Sequence, residues 1–308
     1  MSIDVLICTR DNADSLRETL DSVVGQEGFE DRVRALVVVD NGSSDHTAAV
    51  IDALAAHVPK MVSVFEARKG LQHAKNAGLA HCDAELTAMT DDDCLMEPGF
   101  LMHLDHLRRE RPEVGLFGGR VIPLWARPRP DWLDDRFLGP LAMLDLGDAP
   151  VLIGAGGESW GEAKLVGANY AIRREAFERH GRFNEGFEFS QDVEICTRMI
   201  DGGERALYDP ALVVQHKVPE WRMEPGYFYR WSFRRGHFSE QFEGRGPEPR
   251  WFHPLGVPPW MWRKLLRLAW RIRGTDDPAE RVWRRAQFHY ERGAADARYR
   301  AWRGMDTL

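Results

Sequence analysis

The sequence predicts an α/β fold, a mostly parallel sheet flanked by helices with a C-terminal helical extension, and three observations predict it. Short, nearly continuous apolar runs alternate with stretches of helical periodicity. The runs end in polar clusters, Thr9-Arg10-Asp11-Asn12 after the first and Asp40-Asn41-Gly42 after the second. A later run, Leu86 to Thr90, stops abruptly at three consecutive carboxylates, Asp91, Asp92 and Asp93. Strands that read as unbroken apolar runs are covered on both faces by crossover helices, which is the signature of a parallel sheet.

The elements follow in order. Ile3 to Cys8 is β-branched and apolar, and Leu16, Leu20, Val23 and Val24 then recur at helical spacing. Ala35 to Val39 is the second strand, followed by a helix marked by Ala48, Ile51 and Ala55, with Ser43 or Ser44 as its N-cap. Met61 to Phe65 gives a third strand, Gly70 to Ala80 a third helix and Glu85 to Met89 the strand before the carboxylates. Met96, Glu97 and Pro98 read as a helix start, continued by Leu101, Leu104 and Leu107. Val114 to Ile122 is a strand containing Gly118-Gly119. A Pro/Trp-rich stretch to Leu141 and a Gly-rich loop from Gly147 to Gly161 follow. A loop this long in a compact domain is a lid or binding loop. Lys164 to Ile172 returns to strand, Arg173 to His180 to helix, and Ser190 caps a helix running to about Ile200. Arg205 to Tyr208 and Ala211 to His216 read as two short strands. The predicted division is a domain over 1–218 and an extension over 219–308.

With 308 residues, 44% of them apolar, the chain can fill a sizeable core. Its start enters a strand at once, without the series of basic region, apolar stretch and cleavage site that marks a secretory signal. No run approaches about 18 uninterrupted apolar residues, the length of a membrane span. Cys8, Cys82, Cys94 and Cys196 lie far apart, as reduced core thiols do in a cytoplasmic protein. The net charge of −7 is uneven: Trp251 onward holds twelve Lys/Arg against six Asp/Glu, leaving 29 against 42 before it. The acidic body argues against nucleic-acid binding.

On extended chain Asp91 and Asp93 share one face and Asp92 the other. Two carboxylates on one face suit a hard divalent cation that keeps waters and takes substrate phosphates as further ligands. Asp residues capping a polar turn are the alternative. Ligands of open parallel sheets bind beyond the carboxyl ends of the strands, where Thr9, Asp40 and the Asp triplet all fall. No glycine fingerprint for dinucleotides or phosphate loop follows the first strand, which disfavours a nicotinamide enzyme.

Seven segments in order resemble the family 2 glycosyltransferases and their GT-A, Rossmann-like fold. They are Ile7-Cys-Thr9-Arg-Asp-Asn, Val38-Val-Asp40-Asn-Gly-Ser-Ser-Asp45, Gly70-Leu-Gln-His-Ala-Lys75-Asn76-Ala-Gly78, Thr90-Asp91-Asp92-Asp93, Gly167-Ala-Asn169-Tyr-Ala-Ile-Arg173-Arg, Gly181-Arg-Phe183-Asn-Glu185, and Gln191-Asp192 followed by Tyr208-Asp-Pro210 and His216. The resemblance implies inverting transfer of a sugar from a nucleotide-diphosphate donor, a UDP-sugar foremost, to a glycan, glycolipid or small-molecule acceptor in bacterial polysaccharide or glycoconjugate synthesis. It places Thr9, Arg10 and Asp40 with the nucleotide, Lys75 with the diphosphate as a point charge, and Asp91 and Asp92 with the sugar nucleotide. Asp91, Asp93 and His216 fall to the metal, Mg2+ or Mn2+, and Asp192 to the catalytic base. In the family that base is usually the second residue of a Glu-Asp pair; Gln191 departs from this and removes a like charge. A sugar nucleotidyltransferase is the enzymatic alternative, although it would want a basic Gly-rich loop where Thr9-Arg10-Asp11-Asn12 stands. An inert carbohydrate-binding relative is the other.

In the tail, Met261, Trp262, Leu265, Leu266, Leu268, Ala269 and Ile272 fill one side of a helix over 258–273, and Arg263, Lys264, Arg267 and Arg271 the other. Two readings stand: a peripheral contact with the inner face of an anionic membrane, or docking of the apolar side on the protein. The aromatic run Tyr227, Phe228, Tyr229, Trp231 and Phe233 is expected to border the acceptor.

Overall fold

A computed structural model describes residues 1–158, 165–243 and 253–305. The chain divides into two compact units, residues 1–124 with 142–217, and residues 125–141 with 218–308. The Pro/Trp-rich stretch, which the sequence reading left in the first domain, thus clusters with the carboxy-terminal helices. Its side chains explain this: Trp132 and Phe137 pack edge-on against Phe228, with centroids 5.6 and 5.0 Å away.

In the first unit β1 (Ile3–Thr9), α1 (Ala13–Val24), β2 (Val33–Asp40), α3 (Thr47–Ala55), β3 (Met61–Phe65), α4 (Leu71–Leu79) and β4 (Leu86–Asp91) alternate as the sequence predicts, with a short helix it does not predict, α2 (Phe29–Arg32), between α1 and β2. β5 (Cys94–Met96), α5 (Phe100–Glu110), β6 (Leu116–Trp125), β7 (Val151–Ile153), β8 (Tyr170–Arg173), α6 (Arg174–His180), α7 (Gln191–Asp201) and β9 (Ala206–Val218) follow. The sheet runs β3-β2-β1-β4-β8-β6-β9-β5, with β7 added on β9. β3, β2, β1 and β4 are mutually parallel; β8 joins β4 antiparallel and begins the return half. Every residue of β1 is buried, the state its unbroken apolar run dictates. Leu6, Val37, Val39, Ala74, Met89 and Ile172 belong to one core cluster between sheet and helices.

Four local expectations give way to tertiary context. Met96 ends a strand rather than starting a helix, because Cys94–Met96 pairs with β9 and the helix begins only at Phe100, after Gly99. Neither Ser43 nor Ser44 caps α3: both bind Asp11, and Asp45 accepts from the Thr47 amide at 3.0 Å and its hydroxyl at 2.5 Å. The strand expected from Lys164 begins at Tyr170; residues 159–164 lie outside the described residues. Two short strands near Pro210 are one, β9, since residues 206–208 pair with β7 and 214–216 with β5. Pro210 has no amide to donate, and the following one, on Ala211, is satisfied by Asp209 Oδ1 at 2.9 Å.

β6 reaches β9 closely because Gly119 has no side chain. A Cβ there would lie 2.0 Å from the Leu212 carbonyl oxygen and 2.7 Å from that of Asp209. Both obstacles are backbone, so Gly119→Ala is expected to cost about 1–3 kcal/mol, the usual range for overpacking. Denaturant unfolding that gives the wild-type midpoint would contradict this.

The second unit is helical: α8 (Pro225–Glu243), α9 (Pro259–Arg273) and α10 (Pro278–Arg303). Pro278 at the first turn and Asp277 Oδ1, which accepts from the amides of Ala279 (2.8 Å) and Glu280 (3.2 Å), start α10. Phe228 is fully buried and Tyr229 stacks on His289 at 5.1 Å, so these members of the aromatic run pack this unit. Met261, Leu265 and Leu268 of α9 are buried, Met261 and Leu265 in a cluster with Ala294 and Ala295 of α10.

Candidate active site

Parallel pairing aligns the carboxyl ends of the strands. In register, Thr9 stands beside Asp40 and Cys8 beside Asp91. The loops beyond are tied together by short polar side chains. Asp11, at φ 52°, accepts from the Ser44 amide (2.6 Å) and hydroxyl (2.9 Å), and those bonds hold its carboxyl below the usual range. Asp40 Oδ1 accepts from the Ser43 amide at 2.8 Å. Asn41 donates to the carbonyls of Glu66 and Arg68 and accepts from the Gly70 amide, fixing the start of α4.

The carboxylate triplet separates, but through a turn rather than extended chain: β4 ends at Asp91 and Asp92-Asp93 turn into β5. Asp92 turns to β1 and accepts the Thr9 hydroxyl at 2.5 Å; its half-buried carboxyl is pushed up to about 6 by desolvation. Asp91 and Asp93 face the other way. The antiparallel register of β5 and β9 sets Cys94 opposite His216, which brings His216 Nε2 to 3.1 Å from Asp93 Oδ1. One possible ligand atom from each of Asp91, Asp93, Cys94 and His216 lies within 4.8 Å of the others. Octahedral neighbours around an ion with bonds of about 2.1 Å are about 3 Å apart, so Asp93 and His216 are spaced for one ion. Two carboxylates and an imidazole are a hard to borderline donor set that suits Mg2+ or Mn2+. Cys94 adds a soft donor, but burial keeps its thiol protonated, its pKa well above the ordinary value.

Lys75 on α4 is no solvated helix-face lysine. It is 5% exposed, donates to the Tyr170 hydroxyl at 3.1 Å and lies 5.3 and 5.1 Å from the ring centres of Tyr170 and Phe183. Burial alone disfavours its ammonium; Tyr170 and the carboxylates of Asp91 and Asp192 outweigh this and raise its pKa. Asp192 sits in the first turn of α7, where an acid is favoured. Its Oδ2 accepts from the Gly167 amide and its Oδ1 from the Val193 amide, both at 2.9 Å. Gln191 beside it is buried and donates to Gln72 Oε1 at 3.4 Å. Ser190 is the residue before this helix, in a left-handed conformation, and its side chain makes no capping bond.

The structure therefore gathers Asp91, Asp93 and His216, sets Thr9, Asp92 and Asp40 at the neighbouring strand ends, and lets the charges of Asp91 and Asp192 both raise the pKa of Lys75. Arg10 stands apart: its side chain is 40% exposed, with Asp11 3.6 Å away. Tyr170 and Cys94 are the groups that sequence reasoning missed. Tyr170 lay in a quoted segment, but a lone buried Tyr carries no signal until its partner is known.

Residues 4–181 match Glycosyl transferase family 2, and the chain belongs to that family. Over 254 residues it is 25% identical to the Glucosyl-dolichyl phosphate glucuronosyltransferase of Haloferax volcanii, covering 77% of this chain and 76% of that one. It is 31% identical over 217 residues to the Pre-mycofactocin glycosyltransferase of Mycobacterium tuberculosis, 70% of this chain but only 42% of that longer relative. Two solved structures share the fold. One is the mannosyltransferase PcManGT from Pyrobaculum calidifontis, in complex with GDP-Man and Mn2+, at TM-score 0.56 and 23% identity, with 99% of this chain and 76% of that chain covered. The other is S. aureus TarS 1-349 in complex with UDP, at TM-score 0.58 and 14% identity, with 99% and 90% covered. The fold is the GT-A α/β arrangement that the seven segments imply.

Proposed function

We propose that this glycosyltransferase moves a sugar from a nucleoside-diphosphate donor to an acceptor hydroxyl with inversion, in glycan or glycoconjugate synthesis. One observation carries the reading: ligand atoms of Asp91, Asp93 and His216 lie within 4.8 Å of one another at the carboxyl edge of the sheet, where β4 ends. The relatives that bind GDP-Man with Mn2+ and UDP support a nucleotide donor and a divalent metal.

Asp91, Asp93 and His216 would hold Mg2+ or Mn2+, which supplies charge to stabilise a diphosphate leaving group. Thr9 and Asp40 hold the nucleoside, with Asp92 fixing the Thr9 hydroxyl. Lys75 adds a fixed positive charge on the same side, for a leaving group that gains negative charge as the anomeric bond breaks. Asp192 takes the acceptor proton as its oxygen attacks the anomeric carbon, and a single displacement inverts that centre. Its two amide donors fix the carboxylate while leaving further lone pairs for the acceptor.

Lys75→Met tests the electrostatic part. It keeps most of the buried stem and removes the charge, so donor turnover is expected to fall by about 100-fold or more. Metal-dependent hydrolysis of candidate UDP- and GDP-sugars, followed by nucleoside diphosphate release, measures it. Full activity in Lys75→Met would remove Lys75 from the site, and hydrolysis of none of the donors by the wild type would contradict the proposed function.

A further inference from the structure

α9 satisfies its fold with only part of its apolar surface. Met261, Leu265 and Leu268 are buried at 1–8% exposure, which completes its packing within the second unit. Trp262, Leu266 and Trp270 are left out at 39, 71 and 76% exposure. Spaced i, i+4, i+8, they form one stripe along the outside of the helix. Arg263 and Arg267 are exposed beside it and Arg273 extends it, while Lys264 turns to Glu291 at 2.6 Å. No Asp or Glu occurs between Pro259 and Arg273. The two readings of this helix that stood as rivals in the sequence therefore fall on different faces of it.

We infer that the outer stripe of α9 docks on an anionic bilayer surface, with Trp262, Leu266 and Trp270 entering the boundary between headgroups and acyl chains and Arg263, Arg267 and Arg273 meeting lipid phosphates. Exposed Trp and Leu flanked by cations is the composition of a helix lying in the interface. No helix among the described residues is long and apolar enough to cross a membrane, so the contact is peripheral. Charge decides against a second copy as occupant: two stripes face to face would bring the same arginines together with no carboxylate on α9 to compensate. The inference is independent of the carboxylate site and of the proposed chemistry.

The test uses the full chain, without nucleotide or metal, in co-sedimentation with phosphatidylcholine vesicles and with vesicles containing phosphatidylglycerol. Binding is expected to the anionic vesicles only, with a blue-shifted Trp emission and loss at high salt. A triple variant, Trp262→Ser, Leu266→Ser and Trp270→Ser, and a charge reversal, Arg263→Glu with Arg267→Glu, should each weaken partition by about tenfold or more. These side chains are exposed, so thermal melting reports that both variants remain folded. Equal pelleting with both vesicle types, no pelleting, or undiminished binding by both folded variants overturns the proposal. So does wild-type self-association in sedimentation velocity that the triple variant abolishes, because the occupant is then a second copy.

Discussion

Asp192→Asn is expected to lower sugar transfer by about 10²–10⁴-fold, the contribution of a well-placed general base, while leaving donor binding intact. The substitution is close to isosteric. The amide oxygen can still accept from the Gly167 or Val193 amide, each now 2.9 Å from a carboxylate oxygen, so the start of α7 keeps its anchor. What is lost is the capacity to take a proton. Loss of its charge also removes one of the carboxylates acting on Lys75, but Asp91 and Tyr170 remain. Nucleotide binding by calorimetry should therefore match the wild type, and the melting temperature should move little. Asp192→Ala separates chemistry from scaffolding: it also leaves the Gly167 amide without its partner and should lose stability that Asp192→Asn retains. Normal turnover by Asp192→Asn would refute the assignment. Loss of transfer together with donor binding would make Asp192 a positioning residue.

The amino-terminal half of the fold was legible because its elements are determined locally. β3 spans the residues its apolar run marks, and Leu16, Leu20 and Val23 of α1 point inward at the spacing that predicted them. The return half is set by partners distant in sequence. β5 is three residues long, and nothing in Cys94–Met96 announces a strand until β9 lies beside it. Of the site, the Asp triplet could be read directly as a run of carboxylates at a strand end, although a turn between β4 and β5, not strand alternation, sets Asp92 apart from Asp91 and Asp93. His216 next to Asp93 could be expected only through resemblance, because the contact is created by strand register across more than a hundred residues. Burial of Lys75 was illegible for a similar reason: its shielding comes from Tyr170 and Phe183. In the second unit α8 went unread, since its aromatic residues and glycines suggest a surface until the close approach to α10 is seen. A Cβ on Gly236 would lie 1.9 Å from the Tyr290 carbonyl oxygen, and one on Gly293 would lie 2.0 Å from that of Phe233.

Asp93→Ala is expected to remove most of a metal response that Asp92→Asn preserves, although the two residues are adjacent. Asp93 lies 3.1 Å from His216 in the four-residue cluster, whereas Asp92 is spent on the Thr9 hydroxyl. Losing a direct ligand should weaken Mn2+ binding by about 100-fold or more, beyond the 10–100-fold typical when only a partner of a ligand is removed. Ligand linkage supplies a readout separate from catalysis: an ion at about 100 times its dissociation constant stabilises the folded state by about 2.7 kcal/mol. Mn2+ should therefore raise the melting temperature of the wild type and of Asp92→Asn, and at the same concentration stabilise Asp93→Ala by no more than about 0.4 kcal/mol. Transfer should follow the same order, with a chelator abolishing it in the wild type and excess Mn2+ restoring it. The adjacent pair guards against a trivial result, because each substitution removes one carboxylate from the same turn and changes net charge equally. A Mn2+ shift that survives undiminished in Asp93→Ala and in His216→Ala would place the ion elsewhere. A shift lost equally in Asp92→Asn would mean that the response follows the summed charge of the turn rather than the particular oxygens facing His216.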